Sequence, residues 1–161
     1  MKYGIYYAYW EKEWNGDYKY YIDKISKLGF DILEISCGAF SDYYTKDQEL
    51  IDIGKYAKEK GVTLTAGYGP HFNESLSSSE PNTQKQAISF WKETLRKLKL
   101  MDIHIVGGAL YGYWPVDYSK PFDKKRDLEN SIKNMKIISQ YAEEYDIMMG
   151  MEVLNRFEGY M

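Results

Sequence analysis

The run Ile147 to Glu158, IMMGMEVLNRFE, sets a lone acidic residue, Glu152, near the end of an apolar stretch. A carboxylate at the C-terminal tip of a buried parallel strand is costly to desolvate. Such a placement is tolerated where the group binds a metal or handles a proton. Strand alternation puts Gly150 and Glu152 on one face, and the small glycine leaves room beside the carboxylate. A structural acid, paired with Arg156 or with a neighbouring strand residue, would satisfy the same pattern, and the residues alone leave both readings open. Glu34 is the second acid inside an apolar segment; it shares a face with Ile32 and Ser36 and reads as part of a polar interior layer. His71 and His104 are the only histidines. Neither is spaced with a second histidine or a cysteine as a metal pair would be, so no self-contained metal site is expected from them. His104 opens a strand, at the wrong end for catalysis, whereas His71 lies in a strand-to-helix loop. Cys37, the single cysteine, has no catalytic partner and reads as inert.

These residues need elements to hold them. Five short apolar segments read as strands: Tyr3 to Ala8, Asp31 to Ser36, Thr63 to Gly67, Ile103 to Leu110 and Ile147 to Leu154. Between them lie four stretches with helical spacing. Tyr18, Ile22, Ile25 and Leu28 mark the first, closed by Gly29. Thr45 and Gln48 suggest a capping box opening the second, which carries Leu50, Ile53 and Ala57 and ends at Gly61. Ala87, Trp91, Leu95 and Leu98 mark the third; Leu128, Ile132, Met135, Ile138 and Ala142 mark the fourth. Strict alternation of strand and helix predicts a parallel sheet covered by helices. The helix-to-strand links are short, as at Gly29-Phe30 and Gly61-Val62. The strand-to-helix links YWEKEWNG, GPHFNESLSSSEPN and YGYWPVDYSKPFDK are long and chemically varied. That asymmetry suits an α/β barrel with its working end at the strand C-termini. A doubly wound sheet is the rival, but no glycine-rich phosphate loop follows the first strand.

Composition narrows the function classes. With 44% hydrophobic and 28% charged residues the chain reads as a globular domain, and its net charge of −3 supplies no basic patch for nucleic acid. Seventeen tyrosines and four tryptophans supply flat apolar faces with one polar tip, which suits packing and also walls that meet a polyhydroxylated ligand. No apolar run is long enough to cross a membrane and the N-terminus lacks a signal-peptide pattern, so a cytoplasmic location is the expectation.

The segments MKYGIYYAYWEKEW, LTAGYGP, DIHIVGGALYGYWPVDY and MEVLNRFE together resemble the ketose 3-epimerases, the D-psicose (D-allulose) and D-tagatose 3-epimerase group. The resemblance runs over the whole chain in order. It implies a (β/α)8 barrel of the xylose isomerase-like kind, a free ketohexose as the small-molecule partner, and inversion at C3. It also implies a divalent metal, usually Mn2+ with Co2+ or Mg2+ as alternatives, and a homo-oligomer in the full-length form. Such a metal is held by two glutamates, an aspartate and a histidine, of which Glu152 matches the first glutamate.

By the same resemblance, Glu152 is both metal ligand and catalytic base, and Glu158 hydrogen-bonds the C1–C2 end of the sugar. Tyr6, Trp14, Gly67, Ala109 and Trp114 match positions lining the sugar pocket. The small side chains at 67 and 109 would let a polar ligand approach the backbone. Family members carry about eight strands, and this sequence supplies five. Residues 1–161 are therefore expected to form the N-terminal portion of a single domain, a partial barrel of about five strands and four helices, inactive by itself. Its inner face would leave residues such as Ile5, Ile32, Leu64 and Val106, or their strand neighbours, facing water. The alternatives are a non-catalytic half-barrel and another sugar isomerase of this fold; an endonuclease relative is disfavoured by the acidic charge.

Overall fold

A computed structural model describes residues 1–40 and 43–161. Its strands are β1 (Gly4–Tyr6), β2 (Ile32–Ser36), β3 (Thr63–Gly67), β4 (Ile105–Gly108) and β5 (Met148–Met151), in one sheet ordered β1-β2-β3-β4-β5. Four long helices alternate with them: α1 (Tyr18–Leu28), α2 (Asp47–Glu59), α3 (Pro81–Leu100) and α4 (Lys124–Glu144). Among the described residues, no helix is long and apolar enough to cross a membrane. The chain divides into two compact units, 1–67 with 96–106, and 68–95 with 107–161.

In the first unit, β1, β2 and β3 pair in parallel, with Ile5 beside Leu33 and Leu33 beside Leu64. Leu33, Ile35, Leu64, Ala66 and Val106 are all buried. Of the residues named for exposure, themselves or through their strand neighbours, Leu64 and Val106 are buried and Ile5 and Ile32 are half-buried. The exposed neighbour is Ile105, on the opposite side of its strand from Val106. β1 is shorter than its apolar run because Tyr7–Tyr9 turn into a 3-10 helix, with Tyr7 fully buried.

α1 starts at Asp17, whose side chain accepts from the Lys19 and Tyr20 amides, and stops at Gly29 in the left-handed region (φ 80°), a conformation glycine adopts without strain. Its buried face is Tyr18, Tyr21, Ile22 and Ile25; Leu28 is exposed. The capping box at the start of α2 does not form. Lys46 is the N-cap without a side-chain bond, and the Gln48 amide donates to Asp52 instead (2.8 Å). Asp47 and Glu49 occupy the first turn, where the helix dipole favours negative charge. Arg96 clamps Asp47 with two parallel bonds of 2.7 and 2.8 Å.

In the second unit, α4 departs furthest from its sequence pattern. Its buried residues are Asp127, Ser131, Asn134, Ile138 and Ala142, while Leu128 and Ile132 are about half exposed (47% and 49%). The polar face is buried because it has partners. Asn134 Nδ2 donates to the Leu76 carbonyl (2.8 Å) and Ser131 Oγ to the Tyr111 carbonyl (2.6 Å). Asn130 Nδ2 donates to the Ser78 carbonyl (3.1 Å), and the Tyr160 hydroxyl donates to Asp127 (3.1 Å). Backbone carbonyls in the loops after β3 and β4, which have no ladder of their own, are thereby satisfied.

Candidate active site

In the first unit, the C-terminal ends of β1, β2 and β3 carry Tyr6, Ser36 and Gly67. Tyr6 and Glu34 are register partners, as are Ser36 and Gly67. Two tyrosines beneath them fix the strand ends. The Tyr18 hydroxyl donates to the Ser36 carbonyl (3.0 Å), and the Tyr7 hydroxyl donates to the Trp14 carbonyl (2.8 Å), anchoring the loop after β1. Trp14 is exposed, with its ring tilted 37° to that of Tyr6 and 6.1 Å from it. Burial pushes the Tyr6 phenol up to about 12; the Ser36 hydroxyl works against this and the Glu34 carboxylate adds to it. Tyr6 is therefore a neutral hydroxyl throughout the physiological range. Cys37 is fully buried, and burial pushes its thiol up, in keeping with an inert role.

In the second unit, Glu152 lies one residue beyond β5. Its amide donates to the Gly108 carbonyl (3.0 Å), which fixes the residue level with the end of β4, where Ala109 is buried. Gly108 itself has φ 124°, and a Cβ there would meet the Tyr68 carbonyl oxygen at 2.2 Å, so the two backbones approach as only glycine permits. Trp114 packs on Gly69, where an added Cβ would lie 3.0 Å from the Trp114 Cβ, and the Trp114 amide donates to the Pro70 carbonyl (2.8 Å). The Val116 amide donates to the Glu158 carbonyl (3.3 Å), so the loops carrying Trp114 and Glu158 are joined. The Glu158 carboxylate accepts from Asn155 Nδ2.

One expectation needs adjusting. The fifth strand is not buried: Met148, Met151 and Glu152 are exposed, because β5 stands last in the strand order. Of the two readings left open for Glu152, a structural pairing with Arg156 is not present among the described residues; the Arg156 guanidinium lies over the Phe157 ring, 5.1 Å from the centroid. His104 sits at the start of β4 beside Asp102 (3.2 Å), away from the strand C-termini, and His71 is an exposed loop residue. Among the described residues, no three of His, Cys, Asp and Glu gather as a metal site would require. Glu152 offers a single carboxylate, so these residues do not fit a complete metal centre.

The sequence placed Glu34 in a polar interior layer, and the structure adds where its carboxylate lies. Its Oε1 would lie 2.7 Å from a Cβ placed on Gly67, so this carboxylate leans along β2 toward the site end. The signal was present in an acid two residues before a strand end, on the same face as Ser36.

Residues 22–161 match the model of the xylose isomerase-like TIM barrel family. The chain belongs to that family. It is 56% identical, over its whole length, to the D-psicose 3-epimerase of Enterocloster bolteae and 43% identical to that of Agrobacterium fabrum, covering 54% and 55% of those proteins. The crystal structure of D-psicose 3-epimerase with D-tagatose from Clostridium cellulolyticum superimposes with a TM-score of 0.96 at 47% identity, covering 100% of this chain and 55% of that one. The chain thus spans about half the length of the curated relatives it matches. Its five strands and four long helices are part of a (β/α)8 barrel, as the resemblance implied and the loop asymmetry favoured.

Proposed function

We propose that this chain is part of a ketose 3-epimerase acting on free ketohexoses of the D-fructose and D-psicose type. The observation that carries the reading is the placement of Glu152, hydrogen-bonded to β4 at Gly108, in a chain 56% identical to a D-psicose 3-epimerase. The C3 proton of a ketose is acidified by the adjacent C2 carbonyl. A base that removes it leaves an enediolate, and return of a proton to the opposite face inverts the centre. Glu152 suits the base: its backbone is fixed by the β4 bond while its carboxylate stays open to a ligand. Glu158, oriented by Asn155, suits a hydrogen-bonding role at the C1–C2 end of the sugar. Tyr6 and Trp14 in the first unit, and Trp114 in the second, each suit a flat wall against a sugar, and the small residues Gly67 and Ala109 suit close approach to the backbone.

Inversion needs a second proton-transferring group on the far face of C3. The proposal therefore assigns turnover to a chain of the relatives' length and expects none from residues 1–161 alone. Divalent-metal dependence, with Mn2+ the usual ion, is likewise proposed for the whole protein. Glu152 would be one of its donors.

The test is incubation of the purified full-length protein with D-fructose and separation of the products. D-psicose should form, should cease forming after chelation, and should return with Mn2+. An aldose product would instead assign an aldose–ketose isomerase, and no product from any ketohexose would overturn the reading.

A further inference from the structure

The loop after β1 is held by tyrosine hydroxyls from two different elements. The Tyr7 hydroxyl donates to the Trp14 carbonyl (2.8 Å), and the Tyr44 hydroxyl, from the loop after β2, donates to the Gly16 carbonyl (2.8 Å). Tyr44 is fixed in turn: its oxygen accepts from the Tyr18 amide (3.1 Å) and its ring stacks on that of Tyr18 at 4.8 Å. Tyr7 is fully buried, edge-on to the rings of Tyr6 (5.2 Å) and Tyr18 (5.3 Å). Burial pushes its phenol up, so the hydroxyl keeps the proton that it donates. Gly16 lies close against these rings. A Cβ there would stand 2.9 Å from Tyr7 Cδ2 and Cε2 and 3.2 Å from Tyr21 Cε2, and packed rings do not swing aside as the end of a flexible chain does. The loop is therefore seated at both 14 and 16, while the Trp14 side chain is 57% exposed.

We infer that Tyr7 is a positioning residue for sugar binding: its hydroxyl holds the Trp14 backbone so that the indole stands beside Tyr6 before a ligand arrives. This rests on the ketose reading above, in which Tyr6 and Trp14 suit walls against the sugar. Tyr7 is sealed from solvent and acts through Trp14. A wall on a mobile loop must be ordered by its ligand at a cost in affinity, whereas a wall on a seated backbone spares that cost. Removing the hydroxyl keeps the ring and its packing but leaves the Trp14 carbonyl without this donor. The loop then samples positions in which the indole is displaced, and apparent affinity falls with the share of protein that is competent to bind. Proton transfer at C3 belongs to other residues and is spared. Tyr44 supports the same loop two residues further on.

The experiment measures KM and kcat for D-fructose in the full-length protein carrying Tyr7→Phe, Trp14→Ala or both, with melting temperatures recorded alongside. Tyr7→Phe should raise KM about fivefold while kcat stays within about twofold, the signature of lost binding without lost chemistry. Trp14→Ala should raise KM further. Adding Tyr7→Phe to Trp14→Ala should then change KM by less than about twofold, because the side chain that Tyr7 positions is gone. If Tyr7→Phe does not fold, Tyr44→Phe, which removes the bond to Gly16, takes its place under the same criteria. An unchanged KM in Tyr7→Phe or in Trp14→Ala would overturn the inference. So would an equal rise in KM with and without the Trp14 side chain, which would mean that Tyr7 acts through another residue, or a loss that follows melting temperature alone. Each of these leaves D-psicose formation by the wild-type protein intact. A wild-type protein that turns over no ketose would overturn the epimerase reading, and this inference with it.

Discussion

At the scale of single residues, local surroundings decide what each polar group can do. Cys37 and Glu34 lie three residues apart, one sealed and the other half-buried near the strand ends. With burial holding its thiol protonated, Cys37 should resist iodoacetamide in the folded full-length protein and react once it is denatured. Mass spectrometry of the alkylated peptide checks this, and rapid modification under native conditions would contradict the burial. Cys37 reads as inert in the sequence because no partner residue lies near it, and its burial agrees with that reading. Glu152 stands out in the sequence for the opposite reason, as an isolated charge ending an apolar run. The seat of the Glu34 carboxylate was not legible, because it depends on the β2–β3 register, and no spacing within one segment reveals which residue of a neighbouring strand it will meet.

At the scale of elements, hydrophobic periodicity gave the right partners where the buried face is apolar and failed where it is polar. Trp91, Leu95 and Leu98 of α3 are fully buried, as their spacing predicted. On α4 the same rule placed Ile138 and Ala142 correctly but also selected Leu128 and Ile132, where the buried residues are instead Ser131 and Asn134, whose hydrogen bonds go to loop carbonyls. Period alone cannot see those carbonyls, since they belong to loops distant in sequence. Asn134→Ala in the full-length protein should therefore cost about 1–3 kcal/mol, because the buried Leu76 carbonyl loses its donor. Ile132→Ala, at an exposed site, should cost clearly less unless another surface covers it in the whole protein. Chemical denaturation of both variants measures the difference, and equal costs with Asn134→Ala near zero would contradict this account of the helix. The capping box expected at Thr45 and Gln48 failed for a related reason: Gln48 has a nearer partner in Asp52, one turn on, and Asp47 is drawn to Arg96.

At the scale of the whole molecule, the strand order leaves β1 and β5 as the two outer strands of the described sheet. Outer strands carry unpaired N–H and C=O groups that invite pairing with another chain. Around β5 that edge is also apolar, with Met148 and Val153 exposed at 69% and 96%. A polypeptide restricted to residues 1–161 is therefore expected to self-associate at micromolar concentration, or to bind a polypeptide that completes the barrel. Sedimentation giving a monomer with a cooperative melt would contradict this. The alternation of strands and helices and the long loops after strand ends made the barrel legible from sequence, since both follow from local residue choice. The apolar run alone did not show the exposure of β5, since such a strand reads the same whether or not another element covers it, but the count of five strands did point to open edges at the first and fifth. The central claim is that Glu152 moves the C3 proton, and isotope exchange tests it most directly. Full-length protein incubated with D-fructose in deuterium oxide should place deuterium at C3, read by proton NMR as loss of the C3 signal alongside D-psicose formation. In Glu152→Gln, with the fold intact by circular dichroism, that exchange should fall by at least about a hundredfold, and exchange at the wild-type rate would mean that another group takes the proton.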